Sequence, residues 1–285
     1  MAAAPIVFLS DFGLQDEFVG TCHAVVARRA PAARVIDLTH GIPRGDVLRG
    51  ALTLAGALAY VPEDAVLLAV VDPGVGGARR AVAVGSGTGR FLVGPDNGVL
   101  SLAWPLLGDV ARAAAITSPD VVLRPTSSTF HGRDVFAPAA AHLAEGGDLG
   151  SLGDAVDPVT LTRIEAPRPT AVPGSLTAVV LGVDLFGNAQ LGADGSDLAA
   201  AGMGDAEAVV VRTAAGARAV RRAGTYGEVG EGELLLLVDS SGRLALACNR
   251  GDAAGELRVG PGDTIEIRDA GATAPKARPM RSAWW

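Results

Sequence analysis

The feature that most constrains the fold of this chain is a change of pattern past its midpoint. Before it, apolar runs at residues 6–10, 35–38 and 65–71 alternate with helix-like segments at about residues 16–29 and 46–60. Strands that alternate with helices pair in parallel and form a sheet layered between helices. Residues 1–165 are therefore predicted to form an N-terminal α/β layered sheet domain.

After this domain the chain consists of short apolar runs separated by glycine-rich turns. The runs lie at residues 176–183, 208–212, 234–238, 244–248 and 264–267, and no long helix is indicated. This spacing is typical of a small antiparallel β-barrel. The predicted fold class is α/β plus all-β, with a linker at 166–172, a C-terminal β-barrel domain at 173–272 and a tail at 273–285.

Composition excludes several classes of protein. The net charge of −7 argues against nucleic acid as the main partner, because binding phosphates needs a basic face. No apolar run reaches the roughly 20 residues that span a bilayer, and no leader is evident, so we expect a cytoplasmic protein without a membrane partner. Cys22 and Cys248 are expected to be reduced. No group of His, Cys and carboxylate residues has metal-ligand spacing, so we expect no metal and no cofactor.

Polar residues follow the predicted strands of the first domain. Asp11 comes after the first strand, Asp72 after the third, and a Gly-Pro-Asp-Asn-Gly turn after a later one. Ligands bind beyond the carboxyl ends of strands in such sheets. A carboxylate like that of Asp11 can accept two hydrogen bonds from a ribose diol, although it could instead cap the next helix.

Asp72, Arg79 and His131 are the candidate catalytic residues. Asp72 and Arg79 could form an oriented ion pair or an ordinary loop salt bridge. Arg80 competes with Arg79, but adjacent strand residues point to opposite faces, so only one can reach the site. His131, in a Thr-Phe-His-Gly-Arg-Asp segment, could act as an acid or base or could belong to a helix cap.

The second domain offers candidates for binding a purine. Asn188, in the run Asp184-Leu185-Phe186-Gly187-Asn188, can read the edge of adenine, although a hairpin turn would use the same residues. Tyr226 could stack on a purine or lie in the core. The remaining polar candidates near the carboxyl end are Ser240, Ser241 and Asn249.

Taken in order, the segments SDFG, THGIP, VDPGVG, GPDNG, TFHGRD and FGN and the late Ser-Gly-x-Leu…Asn pair resemble the S-adenosylmethionine hydroxide adenosyltransferase family. This family is related to enzymes that fluorinate or chlorinate the same substrate. The resemblance covers residues 6–267. It implies hydrolysis of S-adenosyl-L-methionine to adenosine and L-methionine, by a homotrimer whose sites lie between one subunit's N-terminal domain and its neighbour's C-terminal domain.

The resemblance also implies a role for each candidate residue. Asp11 would hold the ribose diol, and Asp72, Arg79 and His131 would activate water, with His131 our hypothesis for the base. The remaining substrate-binding residues are Asp16, Asp184 and Ser240 for the methionine end and Asn188, Tyr226 and Asn249 for adenine. Ser241 departs from relatives that have a longer side chain at this position.

The first alternative function is a halogenase, which Asp72 disfavours because a carboxylate repels a halide. Gly132 disfavours it as well, because glycine offers no hydroxyl to coordinate one. The second alternative is a non-catalytic protein that binds adenosyl ligands.

Overall fold

The computed structural model describes residues 3–270 of the chain. Contacts between Cα atoms divide the described residues into two units, with the boundary between Ala166 and Pro167. The predicted tail at 273–285 lies outside the described residues. Within the described part, no helix is long and apolar enough to cross a membrane.

The first unit contains a mixed sheet. Within the described residues its seven strands are β1 (Ile6–Ser10), β2 (Val35–Thr39), β3 (Val66–Val70), β4 (Ala81–Ser86), β5 (Phe91–Pro95), β6 (Val110–Ala115) and β7 (Ala155–Val156), in the order β2-β1-β3-β5-β4-β6-β7. Pairing is parallel from β2 to β5 and antiparallel from β5 to β7. The predicted layered α/β sheet is confirmed. The expected parallel pairing fails for the last strands, because the short turn between β4 and β5 permits only an antiparallel hairpin.

Apolar side chains on both faces of this sheet are covered. Ile6 and Phe8 pack in one core with α1 (Phe18–Arg29) and α3 (Ala137–Ala144), while Val7 and Leu9 pack in a second core with α2 (Val47–Ala57). Asp46 caps α2 by accepting a hydrogen bond from the backbone N–H of Arg49. Burial on both faces explains why β3 consists of apolar residues only and why β1 is apolar up to Ser10.

The second unit is a closed barrel. Its described strands are β8 (Thr170–Val172), β9 (Ser175–Val183), β10 (Ala189–Asp194), β11 (Ala208–Thr213), β12 (Gly216–Arg222), β13 (Leu234–Val238), β14 (Arg243–Cys248) and β15 (Thr264–Asp269). Seven of them form the ring β10-β14-β13-β12-β11-β15-β9, which closes through the β9–β10 pair, and β8 adds to β9. The predicted barrel is confirmed, but the β12–β13 pair is parallel.

One feature of this unit differs from the expected pattern. The segment predicted as a linker contributes the strand β8, which pairs with β9. Two short helices, α4 (Gly195–Ala200) and α5 (Ala253–Leu257), interrupt the strands. Asp194 begins α4 with a capping box, and Asp252 begins α5 by accepting a hydrogen bond from the Gly255 N–H.

Candidate active site

Asp72, Arg79 and His131 form one hydrogen-bonded group in the first unit. Arg79 donates from Nε to Asp72 Oδ1 over 2.9 Å and from Nη2 to Asp72 Oδ2. The same Nη2 lies 2.7 Å from His131 Nδ1. Asp72 follows β3, and His131 directly precedes a five-residue π-helical turn, Gly132–Phe136, that leads into α3. Two separate loops therefore meet at one guanidinium.

Burial strengthens this group. The side chains of Asp72 and Arg79 are only 6% and 11% exposed, and the guanidinium lies 5.3 Å from the ring centroid of Phe136. An ion pair removed from water in this way is held in a fixed geometry. The alternative of an ordinary exposed loop salt bridge does not describe it.

The contact with Arg79 determines the protonation of His131. A guanidinium has only donors, so Nδ1 must accept the hydrogen bond, and the proton of the neutral ring lies on Nε2. Burial and the positive charge of Arg79 lower the pKa of His131. His131 is therefore a neutral imidazole at neutral pH, with an Nε2–H to donate. Its side chain does not cap the following turn.

Arg79, and not Arg80, belongs to this group. Arg80 instead donates from Nε to Asp96 Oδ2 over 2.8 Å and from its terminal nitrogens to Thr160. The next residue, Asn97, donates from Nδ2 to the carbonyl of Val71, the residue before Asp72. The Gly-Pro-Asp-Asn-Gly turn thus holds the backbone next to Asp72 in place.

Two glycines allow the loops to approach one another. A Cβ at Gly76, which has a φ of +75°, would lie 2.3 Å from the carbonyl oxygen of Ser128, in the loop before His131. A Cβ at Gly132 would lie 2.8 Å from Cζ of Phe12, in the loop after β1. Both distances are shorter than atoms tolerate, so only glycine permits these approaches without movement. Three loops consequently pack together beside Asp72.

Asp11 and Asp16 lie in the loop between β1 and α1. Asp11 is partly exposed and accepts a hydrogen bond from the Gly45 N–H at Oδ2, over 2.8 Å. Because α1 begins at Phe18 after Glu17, Asp11 does not cap this helix. Asp16 is exposed in the same loop. Both carboxylates are accessible to a ligand.

In the second unit, a cavity of about 1150 Å³ brings together four predicted residues, Asp184, Asn188, Tyr226 and Asn249. Asn188 donates from Nδ2 to Asp184 Oδ2 over 2.8 Å and to the Tyr226 hydroxyl over 3.3 Å. Asp184 Oδ1 also accepts from the N–H groups of Phe186 and Asn188. The Asp184 carboxylate thus orders its own loop and fixes Asn188.

Not every predicted residue of the second unit lines this cavity. Ser240 and Ser241 lie in the turn before β14, whereas Asn249 follows this strand. The two serines and Asn249 therefore lie at opposite ends of β14. Asn249 donates from Nδ2 to the carbonyl of Val229 over 2.8 Å. Tyr226 is 44% exposed, which excludes the alternative of a core tyrosine.

Sequence reasoning missed several residues. Leu185 and Phe186 line the cavity, and both are fully or largely exposed. Arg250 and Arg258 line it as well, and the backbone of each has a positive φ angle. The DLFGN run was a signal for the first two, since apolar residues in a turn are unusual. A second omission is the group His23, Asp37 and His40, whose potential metal-ligand atoms all lie within 4.8 Å of one another. The expectation of no metal was based only on the spacing of residues along the sequence. It did not consider residues that the fold brings together, so it is not a reason to exclude a metal here.

Models of two protein domains match this chain. The model of the SAM hydroxide adenosyltransferase N-terminal domain matches residues 6–153, and that of the C-terminal domain matches residues 178–266. The chain belongs to the SAM hydroxide adenosyltransferase family. The resemblance found in the sequence is thereby confirmed.

Similarity to individual proteins supports the membership of this chain in the family. A protein of Salinispora tropica named (R)-S-adenosyl-L-methionine hydrolase is 49% identical over 94% of this chain and 99% of its own length. A protein of Actinoplanes named fluorinase is 26% identical over 93% of this chain and 97% of its own. The crystal structure of an uncharacterized conserved protein from Thermotoga maritima superposes with a TM-score of 0.85 at 36% identity, covering 92% of this chain and 99% of that one.

Proposed function

We propose that this member of the SAM hydroxide adenosyltransferase family hydrolyses S-adenosyl-L-methionine to adenosine and L-methionine. The observation that carries the proposal is the buried group in which Arg79 binds both Asp72 and His131. The higher identity to a protein named as a hydrolase than to one named as a fluorinase supports it further. The reaction needs a fixed water molecule, and this group offers donors and acceptors to hold one.

The proposed chemistry is an in-line displacement at the ribose 5′-carbon. The water oxygen forms a bond to this carbon while the carbon–sulfur bond breaks and its electron pair returns to sulfur. Methionine leaves as a neutral thioether, and one proton of the water is released. Because methionine is already a good leaving group when it is bonded to carbon as a sulfonium, the proposed reaction uses neither a metal nor a cofactor. Positioning and proton transfer are the protein's contribution.

The contacts of His131 argue against our first hypothesis, that it is the base. Its Nδ1 lone pair is directed to Arg79, and its Nε2 carries a proton in the neutral ring. We infer that Nε2–H donates to the attacking water and that Asp72 accepts the water's proton. A carboxylate paired with arginine is a weak base. A weak base suffices here, because the water proton becomes strongly acidic as its oxygen bonds to carbon.

The other predicted residues receive proposed roles in binding. Asp11 holds the ribose diol, and Asp16 and Ser240 bind the methionine end. Asn188 reads the adenine edge with Tyr226 and Asn249 beside it, while Asp184 positions Asn188 through the hydrogen bonds described above. This replaces direct binding of the methionine end by Asp184, because its carboxylate is already occupied within its own loop.

A homotrimer with shared sites is also part of the proposal. The exposed Leu185 and Phe186, at 103% and 80%, would be covered by a neighbouring subunit. Light scattering after size exclusion tests the trimer. Mixing Asp72→Asn subunits with Asn188→Ala subunits tests the sharing, because each mixed trimer would contain some sites without either substitution. Activity regained on mixing supports shared sites, and a mixture as inactive as the two separate variants contradicts them.

The location of the protein in the cytoplasm stays a prediction.

One experiment separates the three candidate functions. The purified protein is incubated with S-adenosyl-L-methionine and chloride or fluoride in ¹⁸O-labelled water, and the nucleosides are examined by mass spectrometry. Adenosine with label in its 5′-hydroxyl supports hydrolysis by direct displacement. A 5′-halogenated nucleoside indicates a halogenase, and tight binding without any product indicates a ligand-binding protein.

A further inference from the structure

His23, Asp37 and His40 converge beside the loop that carries Asp11. His23 lies on α1, Asp37 lies on β2, and His40 directly follows that strand. The Nε2 atoms of His23 and His40 lie 2.8 Å and 3.0 Å from the same oxygen, Asp37 Oδ1. Two imidazoles and a carboxylate around a common point form a ligand set that divalent transition metals favour.

The state of His40 is a second, independent indication of a ligand. His40 is only 4% exposed, and its Nε2 has no hydrogen-bond partner among the described residues. Its contact with Asp37 is short, yet the ring nitrogen does not point at the oxygen well enough to form a hydrogen bond. Buried polar groups are normally satisfied, so a buried imidazole nitrogen that contacts a carboxylate without a regular hydrogen bond favours a ligand at this point.

The surroundings of His40 fit metal ligation. Its other nitrogen, Nδ1, lies 2.7 Å from the hydroxyl oxygen of Ser10, which is fully buried at the end of β1. Metal-binding histidines commonly donate their second N–H to an oxygen, which fixes the ring and its tautomer. Phe8 covers the site, with its ring centroid 4.7 Å from that of His40.

The solvent access of the site and the distances between its ligand atoms also fit the binding of an ion. The side chains of His23 and Asp37 are 37% and 42% exposed, so an ion and a coordinating water can enter from solvent. Bonds of about 2.1 Å in tetrahedral geometry separate ligand atoms by about 3.4 Å. The two histidine nitrogens therefore need to move away from Asp37 Oδ1 by only about half an ångström to admit an ion.

We propose that His23, Asp37 and His40 bind one divalent transition-metal ion of the zinc type, with water in the fourth position. The ion would join α1 to β2 and, through Ser10, hold the start of the loop that carries Asp11. It shares no ligand with Asp72, Arg79 and His131, so its proposed role is structural.

Zinc titration of the untagged, full-length protein tests this site. After chelator treatment, Zn²⁺ is added in competition with a chromophoric chelator, and Co²⁺ is added separately to follow its visible absorption. The variants are His23→Ala and Asp37→Asn, which change the two more exposed ligands and spare the buried His40. His142→Ala is the matched control, since His142 lies on α3 and contacts Ser151. Circular dichroism verifies that each variant is folded.

We expect one Zn²⁺ per chain in the unchanged protein and in His142→Ala, and a tetrahedral Co²⁺ spectrum. Each ligand variant should bind Zn²⁺ at least about 100-fold more weakly. Absence of stoichiometric binding to the unchanged protein overturns the proposal. Unchanged affinity in folded His23→Ala and Asp37→Asn also overturns it, because the ion would then be bound elsewhere, for example at His131.

Discussion

Arg79 Nη2 lies 2.7 Å from His131 Nδ1 while the same guanidinium binds both carboxylate oxygens of Asp72. One cation thus orients two groups on separate loops. It directs the histidine lone pair towards itself and leaves Nε2–H as the free polar atom of the ring. The arrangement therefore depends on the planar, multiply donating form of arginine and not only on its charge.

Replacing Arg79 with lysine tests this dependence. A lysine ammonium keeps the charge but cannot bind two carboxylate oxygens in a plane and also reach His131 in the same geometry. We expect kcat for adenosine release from Arg79→Lys to fall by about 100-fold or more. Arg80→Lys is the matched control, because Arg80 contacts Asp96 and Thr160 instead. Equal losses in the two variants would contradict the assignment of Arg79.

The role of His131 is distinguished by two substitutions. Glutamine can donate a hydrogen bond to water but cannot accept a proton at neutral pH, whereas alanine can do neither. If His131 acts as a donor, His131→Gln should retain about two- to tenfold more activity than His131→Ala, matching a hydrogen bond's net free energy. Single-turnover adenosine release measures this difference. Equally low rates in the two folded variants would restore His131 as the base.

The pH dependence of hydrolysis follows from the lowered pKa of His131. Burial disfavours the charged ring, and Arg79 repels it, so the pKa lies below the ordinary value of about 6.5. The neutral, competent ring is fully present above that value and is lost as the pH falls through the lowered pKa. We expect kcat to be constant from about pH 7 upward and to fall only below about pH 6.5. A half-maximal rate above that pH would contradict the assigned state.

Local sequence was sufficient to propose most of the candidate site in the first unit. Polar residues at the ends of apolar strands indicated Asp11 and Asp72, because parallel strands end at the same edge of a sheet. Strand alternation predicted that only one of Arg79 and Arg80 could reach the site, and this was correct although both residues lie in the loop before β4. It could not show which one, because the orientation depends on how the loop enters β4.

Contacts between distant segments were beyond local patterns. His23 meets Asp37 and His40 only because α1 packs on the sheet, and no spacing along the chain encodes that approach. The Asp184 carboxylate resembled a ligand-binding group, yet it already accepts three hydrogen bonds within its own loop. The parallel β12–β13 pair was missed for a related reason, since barrel closure and not local propensity determines it.

Gly132→Ser tests the packing of the loops around the candidate catalytic residues. The added Cβ would lie 2.8 Å from Phe12, so we expect the folded state to lose about 1–3 kcal/mol through overpacking and hydrolysis to decrease. Gly56→Ser is the control, because a Cβ there meets no atom within 4 Å. Thermal unfolding and adenosine release are measured for both. A fully stable and active Gly132→Ser variant would show that the loops do not need this close contact.

Discrimination between adenine and hypoxanthine tests the role of Asn188. Its two amide protons are donated to Asp184 and Tyr226, so the atom left for the base is the acceptor Oδ1. This acceptor suits the 6-amino group of adenine and opposes the 6-oxo group of hypoxanthine. We expect kcat/KM for S-inosyl-L-methionine to be about 10- to 100-fold lower than for the adenosyl substrate. Asn188→Ala should lower activity on the adenosyl substrate and bring the two values together. If the unchanged protein used both substrates equally, the acceptor role of Asn188 would be wrong, whereas the arrangement of Asp72, Arg79 and His131 would be unaffected.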